Sequence, residues 1–319
     1  MDLSLSTPDR VVVVHGGHAE VMSPGGDVQS VRLGRRLTLT AVAGDWVRVQ
    51  EGEIVEVRER STALTRPGRD GGVQVLAANI DMVFLVLAID HGLNVKALER
   101  LSVMAWESGA TPVVVLTKCD LVGTVEAEVA SAQDAAPGMD VIPTSTISGM
   151  GLAELKALMG PATTTTMLGA SGAGKTSLLN ALDGRSEPVA HVRRDGEGRH
   201  TTTTRRLHVL DGGGVLLDLP GIRSLDILAG EDALDETFTE IASAAQGCRF
   251  GDCTHDHEPG CAVQAAVADG VIEPRRVESW HRLQRELAYQ QRRVDPAAMA
   301  AHRAQWKATS KEIKRITRG

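Results

Sequence analysis

Eight consecutive residues, Gly169-Ala170-Ser171-Gly172-Ala173-Gly174-Lys175-Thr176, fit the pattern G-x-x-x-x-G-K-[ST]. Glycines at this spacing let successive backbone N–H groups turn inward around phosphate oxygens. Lys175 would bring a point charge to the β- and γ-phosphates, and the Thr176 hydroxyl, followed by Ser177, would face a phosphate-bound Mg²⁺. An apolar strand-like run, Thr164–Leu168, leads into the motif, and a helical pattern starts near Gly174, so the anion would sit at a helix N-terminus.

A phosphate loop does not select the base. Thr117-Lys118-Cys119-Asp120, after the apolar run Pro112–Leu116, supplies that selection. A carboxylate at Asp120 can accept from guanine N1–H and the exocyclic amine, a pair that adenine lacks. Thr117 stands where the common Asn-Lys-x-Asp version has its Asn. Thr144-Ser145-Thr146 follows the next strand and suits a loop backing the base. Asp218-Leu219-Pro220-Gly221 gives a carboxylate for Mg²⁺ and a glycine to sense the γ-phosphate. Between these lies Gly198-Arg199-His200 followed by Thr201–Thr204; Thr201, Thr202 and Thr203 are each placed to complete the magnesium shell, Thr202 being the middle choice. Many nucleotide hydrolases orient the attacking water with a glutamine directly after D-x-x-G. Ile222 stands there and cannot hydrogen-bond water, which leaves His200 as the candidate catalytic group. The base-reading motif precedes the phosphate loop and D-x-x-G comes last, so the order is a cyclic rotation of the usual one.

Downstream, Cys248-x₄-Cys253-x-His255-x₅-Cys261 offers three thiolates and one imidazole, a donor set for a closed tetrahedral structural Zn²⁺, one per chain. His257 is an alternative to His255.

These motifs need elements to hold them. Up to about Arg66 the chain reads as short strands (Arg10–His15, Gln29–Leu33, Arg36–Ala41, Trp46–Gln50 and Glu53–Arg58) separated by glycine turns, which predicts a small barrel, an OB-fold or an SH3-like one. Pro67–Gly72 reads as a linker. Strand and helix patterns then alternate from Met82 to Leu217, predicting a mostly parallel α/β sheet with its ligand at the strand carboxyl ends. Helices follow, with starts near Pro274 and Pro296. The expected division is a barrel at 1–66, an α/β phosphate-loop domain at 67–229 and a helical metal-binding domain at 230–319.

The bulk numbers agree with a soluble multidomain chain: 319 residues, 42% hydrophobic and 24% charged. At 3% aromatic, there is no broad platform for stacking bases. The N-terminus lacks a signal-peptide pattern, and the longest apolar run, Met82–Ile89, is too short to span a bilayer, so the expectation is a cytoplasmic monomer without a membrane partner. Net charge is −7, yet residues 270–319 carry 12 Lys or Arg against 5 Asp or Glu, a balance of +7 that leaves −14 for the rest. A basic tail on an acidic body fits docking to nucleic acid through one end.

The segments GASGAGKTSLLN, GRHTTTT, DLPGIR and CRFGDCTHDHEPGCAV, with RSTALTRP and VLAANID, resemble in order and spacing the bacterial small-ribosomal-subunit-dependent, circularly permuted GTPase A family, along essentially the whole chain. The resemblance implies an OB-fold contacting 16S ribosomal RNA, a permuted domain that binds GTP and GDP, and a C-terminal zinc domain. It also implies action late in assembly of the 30S subunit, with subunit-stimulated GTP hydrolysis driving release. The rival readings are a GTP-regulated binding module for another RNA or a protein, and an ATP-dependent kinase, which Asp120 disfavours.

Overall fold

The structure is a computed structural model that describes residues 8–68, 72–183, 206–210, 212–219 and 231–294. Five strands close a barrel: β1 (Asp9–His15), β2 (His18–Met22), β3 (Val28–Leu33), β4 (Trp46–Gln50) and β5 (Glu53–Val57), in the order β1-β2-β3-β5-β4. All pairs are antiparallel except β3–β5, the OB-fold arrangement. Alternation puts Val11, Val21, Val31, Val47 and Ile54 into one buried cluster, and a bulge between Val11 and Val13 tightens the curvature of β1. Two expectations are corrected here. His18–Met22 is a strand that Glu20 and its short length concealed. Arg36–Ala41 forms no strand; it is an irregular crossing that buries Ala41 and packs Leu37 on the core.

Pro67–Gly72 is likewise not a plain linker. Its first residue ends β6 (Ala63–Pro67), which pairs with β7 (Val73–Ala78) as a two-stranded sheet, and residues 69–71 lie outside the described residues. The main sheet has six strands in the order β10-β9-β8-β11-β13-β12: β8 (Met82–Ala88), β9 (Thr111–Thr117), β10 (Asp140–Pro143), β11 (Thr164–Leu168), β12 (Arg206–Val209) and β13 (Val215–Asp218). All neighbours are parallel except β12–β13. Helices α1 (Val95–Glu107), α2 (Glu126–Ala135), α3 (Leu152–Leu158) and α4 (Lys175–Asp183) connect the strands. Because β8 and β9 are covered on both faces they read as continuous apolar runs, and Phe84, Val86, Val113, Val115, Leu155 and Leu178 share one core.

The barrel is fastened to this sheet at the amino ends of its strands. Arg10, 5% exposed, donates to the Asn79 carbonyl at 3.0 Å and lies over Trp46 at 4.7 Å. The Asn79 amide donates to the Gly44 carbonyl at 3.1 Å and its oxygen accepts from Ser61 N–H.

The outer part of the β6–β7 pair groups with the C-terminal helices as a second compact unit. Those helices are α5 (Glu231–Thr237), α6 (Thr239–Ala245), α7 (Ala262–Ala268) and α8 (Pro274–Val294). Arg276, buried in α8, bonds Glu240 at 2.6 Å and the Thr237 carbonyl at 2.9 Å, and sits over the Phe238 ring. The second expected helix, from Pro296, lies outside the described residues. Among the described residues no helix is long and apolar enough to cross a membrane.

Candidate functional site

The phosphate loop leaves β11 and enters α4 at Lys175. Gly169 cannot be replaced there: a Cβ would run into the Val86 carbonyl of the adjacent strand. Gly172 and Gly174 take φ of 80° and 93°, the left-handed region where a side chain is strained. Ser171, Gly172 and Thr176 are exposed, Ser177 is half-buried, and Ala173 is buried against the sheet. The Lys175 ammonium donates to the Gly169 and Ala170 carbonyls at 2.8 and 2.9 Å, closing a small ring over the loop. Burial pushes its pKa down, and the nearby Asp218 carboxylate, at the end of β13, counteracts this. A cation held by weak carbonyl acceptors is free to turn onto phosphate.

The base-reading loop meets the phosphate loop through Thr117. Thr117 is 4% exposed, and its hydroxyl donates to the Ala173 carbonyl at 2.6 Å. A threonine thus makes the brace for which this motif usually carries Asn. One residue on, Lys118 adopts a left-handed backbone and its ammonium reaches the Asp90 carboxylate at 2.8 Å. Hydrogen bonding from Lys118 holds Asp90 below the usual carboxylate range. Asp120 Oδ1 accepts from the Ser145 hydroxyl at 2.6 Å. That hydroxyl in turn accepts from Ile147 N–H at 3.2 Å and Ser148 N–H at 3.1 Å. The proton of Ser145 is therefore committed to Asp120, and one carboxylate orientation is fixed before any base arrives. Leu121 and Ile147, both exposed, flank it.

The structure thus brings Thr117, Lys118, Asp120, Ser145, Gly169 to Ser177 and Asp218 to one edge of one sheet. His200, Thr201 to Thr203, Gly221 and Ile222 lie outside the described residues. Sequence reasoning missed Asp90. No motif marks it, and the only signal was an acid two residues past a strand with a buried interior.

In the second unit, Cys248, Cys253, His255 and Cys261 bring their donor atoms within 4.8 Å of one another. Cys248 Sγ and Cys261 Sγ each lie 3.6 Å from His255 Nδ1 and 3.9 Å from each other. Metal bonds of about 2.3 Å to sulfur and about 2.0 Å to nitrogen give tetrahedral edges of roughly 3.6–3.8 Å. The residues therefore fit a four-coordinate metal ion. His255 is 6% exposed, has φ of 60° and packs its ring on Trp280 at 5.2 Å. His257 is solvated and outside the cluster. Gln264 N–H and Ala262 N–H point at the Cys261 and Cys248 sulfurs, each at 3.4 Å, which offsets thiolate charge. Burial, with the neighbouring thiols, pushes the Cys253 thiol up to about 11, and a bound cation would favour its thiolate. Glu258 closes the loop by accepting from the Thr254 hydroxyl and from Thr254 and Asp256 N–H, which pulls it down to about 2.

Residues 57–228 match the model of the RsgA GTPase family. A small ribosomal subunit biogenesis GTPase of Opitutus terrae is 41% identical over 94% of this chain and 89% of its own. One from Listeria monocytogenes is 36% identical over 97% of this chain and 92% of its own. Among solved structures, YjeQ from Thermotoga maritima superposes with a TM-score of 0.70 at 30% identity, covering 89% of this chain and 99% of that one. YloQ, a circularly permuted GTPase, gives 0.65 at 26% identity over 90% and 97%. The match spans more than half of the chain and the relatives align along nearly all of it, so this protein, a GTPase, belongs to the RsgA family.

Proposed function

We propose that this GTPase acts in biogenesis of the small ribosomal subunit, docking on the 30S particle with GTP and leaving after hydrolysis. The observation that carries the guanine reading is the Asp120 carboxylate, aimed by Ser145 and tied through Thr117 to a phosphate loop on the same edge. The ribosomal reading rests on the relatives, which are named as small ribosomal subunit biogenesis GTPases.

In this reading Asp120 accepts from the guanine edge and Ser145 backs it. The N–H groups from Gly169 to Thr176 cradle the phosphates, and Lys175 leaves its loop carbonyls to bind the β- and γ-oxygens. Thr176, Asp218 and Thr202 hold Mg²⁺, which neutralises phosphate charge when it arrives with the nucleotide. Gly221 senses the γ-phosphate. His200 orients or deprotonates the attacking water, because Ile222 cannot. Cys248, Cys253, His255 and Cys261 hold Zn²⁺, a structural ion because four protein donors leave no open position. The protein works in the cytoplasm as a monomer. Its barrel (1–66) and the basic C-terminal region (within 230–319) contact 16S RNA, and the permuted domain (67–229) binds the nucleotide.

The deciding experiment is GTP turnover with purified 30S, 50S and 70S particles. Stimulation by 30S is expected. Equal turnover with and without 30S would favour a GTP-regulated binding module with another target.

A further inference from the structure

The strand order places a group beneath the nucleoside that no motif announces. Asp120 follows β9 and the phosphate loop follows β11, and these strands are not neighbours: β8 runs between them. A nucleotide whose base sits on Asp120 and whose phosphates sit on Lys175 must therefore pass over the carboxyl end of β8. The side chain at that end is Asp90, one-fifth exposed. A bare carboxylate there would repel the phosphates and offer the sugar nothing apolar. Asp90 is instead neutralised by Lys118, whose ammonium lies 2.8 Å from its Oδ2. The Lys118 stem thus runs from the end of β9 to the end of β8, along the path the nucleoside takes. Its left-handed backbone, φ 62°, turns it that way.

We infer that Asp90 is a positioning residue for guanine nucleotides: by anchoring the Lys118 ammonium it lays the lysine stem as an apolar floor under the nucleoside. The inference rests on the reading of Asp120 as the base acceptor. The bland alternative is a surface ion pair. Ion pairs at the surface contribute little to stability, so the two readings separate by what they move. A surface pair shifts thermal stability slightly and leaves nucleotide binding alone. A floor shifts nucleotide binding and leaves stability nearly alone. A floor also acts on the nucleoside end, which GDP and GTP share, whereas the loss of a γ-phosphate contact would spare GDP.

The test uses the full chain and measures GDP and GTP affinity, melting temperature, and single-turnover hydrolysis at saturating GTP. Asp90→Ala should weaken GDP and GTP equally, by about tenfold, the worth of one charge-assisted hydrogen bond. Once nucleotide saturates, the hydrolysis rate should follow the parent protein, so the change falls in KM and not in kcat. Asp90→Asn, which keeps an oxygen for the ammonium, should recover part of the loss. Lys118→Met keeps the stem but removes its anchor, and should lose about as much as Asp90→Ala. The double variant should then lose no more than either single one. Losses that add fully, or unchanged GDP affinity in Asp90→Ala, would overturn the inference. Asp120→Asn serves as the parallel arm. If it fails to shift preference toward xanthine nucleotides, the base reading falls and this inference falls with it. If it shifts while the Asp90 and Lys118 losses add, only the floor is wrong.

Discussion

The nucleotide edge and the cysteine cluster hold their side chains by opposite means. At the nucleotide edge, Thr117, Asp120, Ser145, Lys175 and Asp218 come from loops at the ends of β9, β10, β11 and β13, and a shared apolar core fixes the spacing of those strands. The cluster draws all four donors from the turn and loop between α6 and the start of α7, and its residues between Arg249 and Gly260 contribute no fully buried apolar side chain. The braces of the first site, such as Ser145–Asp120, run between protein groups alone. The second has no such core, and in the proposed reading a bound ion would hold its four donors together. Damage to the first should therefore be graded and local, and damage to the second should be all-or-none.

The largest effect follows from that difference. Cys253→Ser should release the metal, about one zinc per chain, and melt the loop together with α7, whose N-cap is Cys261. Structural zinc in small loops supplies on the order of 10 kcal/mol of folding free energy. Elemental analysis and hydrogen exchange across residues 248–268 report this directly. Undiminished zinc in the variant, or a protected loop without it, would break the contrast.

Next comes hydrolysis. His200→Ala should keep GTP affinity near normal and lower 30S-stimulated single-turnover hydrolysis by roughly 10²–10⁴-fold, the span for a general base or water-orienting group. Equal rates for both proteins would remove His200 from the reaction and point to the RNA as the source of the missing group.

Asp120→Asn sharpens the comparison from the side of the preformed site. The loss in GTP and GDP affinity should be about 100-fold, since two hydrogen bonds to a charged acceptor are disturbed at once. Xanthine nucleotides should gain, because an amide can donate where guanine offered its amine. The fold should be unaffected, as the carboxylate bonds only one hydroxyl among the described contacts. A competition assay with GTP and XTP settles it.

The motifs could be read because their chemistry restricts residue type: few side chains other than lysine and aspartate suit a phosphate and its metal, and three cysteines with a histidine at short spacing suit little besides a metal ion. The parallel sheet was legible for a related reason, as β8 and β9 are buried on both faces and read as unbroken apolar runs. What escaped was set by tertiary contact. The strand His18–Met22 has a modest pattern and exists because β1 and β3 flank it. Pro67–Gly72 carries every sign of a linker, yet flanking strands pair across it. Asp90 belongs to no motif, and only the placement of β8 between β9 and β11 gives it meaning.

The smallest predicted effect concerns the brace itself. Thr117 joins the base-reading loop to the phosphate loop by one hydroxyl, which donates to the Ala173 carbonyl at 2.6 Å and lies 3.3 Å from the Leu87 carbonyl. Thr117→Val keeps the volume and removes the donor. The Ala173 carbonyl then loses a bond in a buried setting, at a cost of about 1–2 kcal/mol. That loss is shared between the free and bound states unless nucleotide binding demands the two loops at a fixed separation. If the edge is preformed, as the Ser145–Asp120 bond indicates, most of the cost appears as lower thermal stability, and GDP affinity falls by no more than about fivefold. If the nucleotide assembles the edge, stability stays level and affinity falls by the whole amount, about tenfold or more. Thr117→Asn, which restores the usual residue of the motif, should return both quantities toward the parent values. Melting temperature and GDP affinity measured on the three proteins separate the two cases, and a loss confined to affinity would place this site beside the metal cluster as one that its ligand builds.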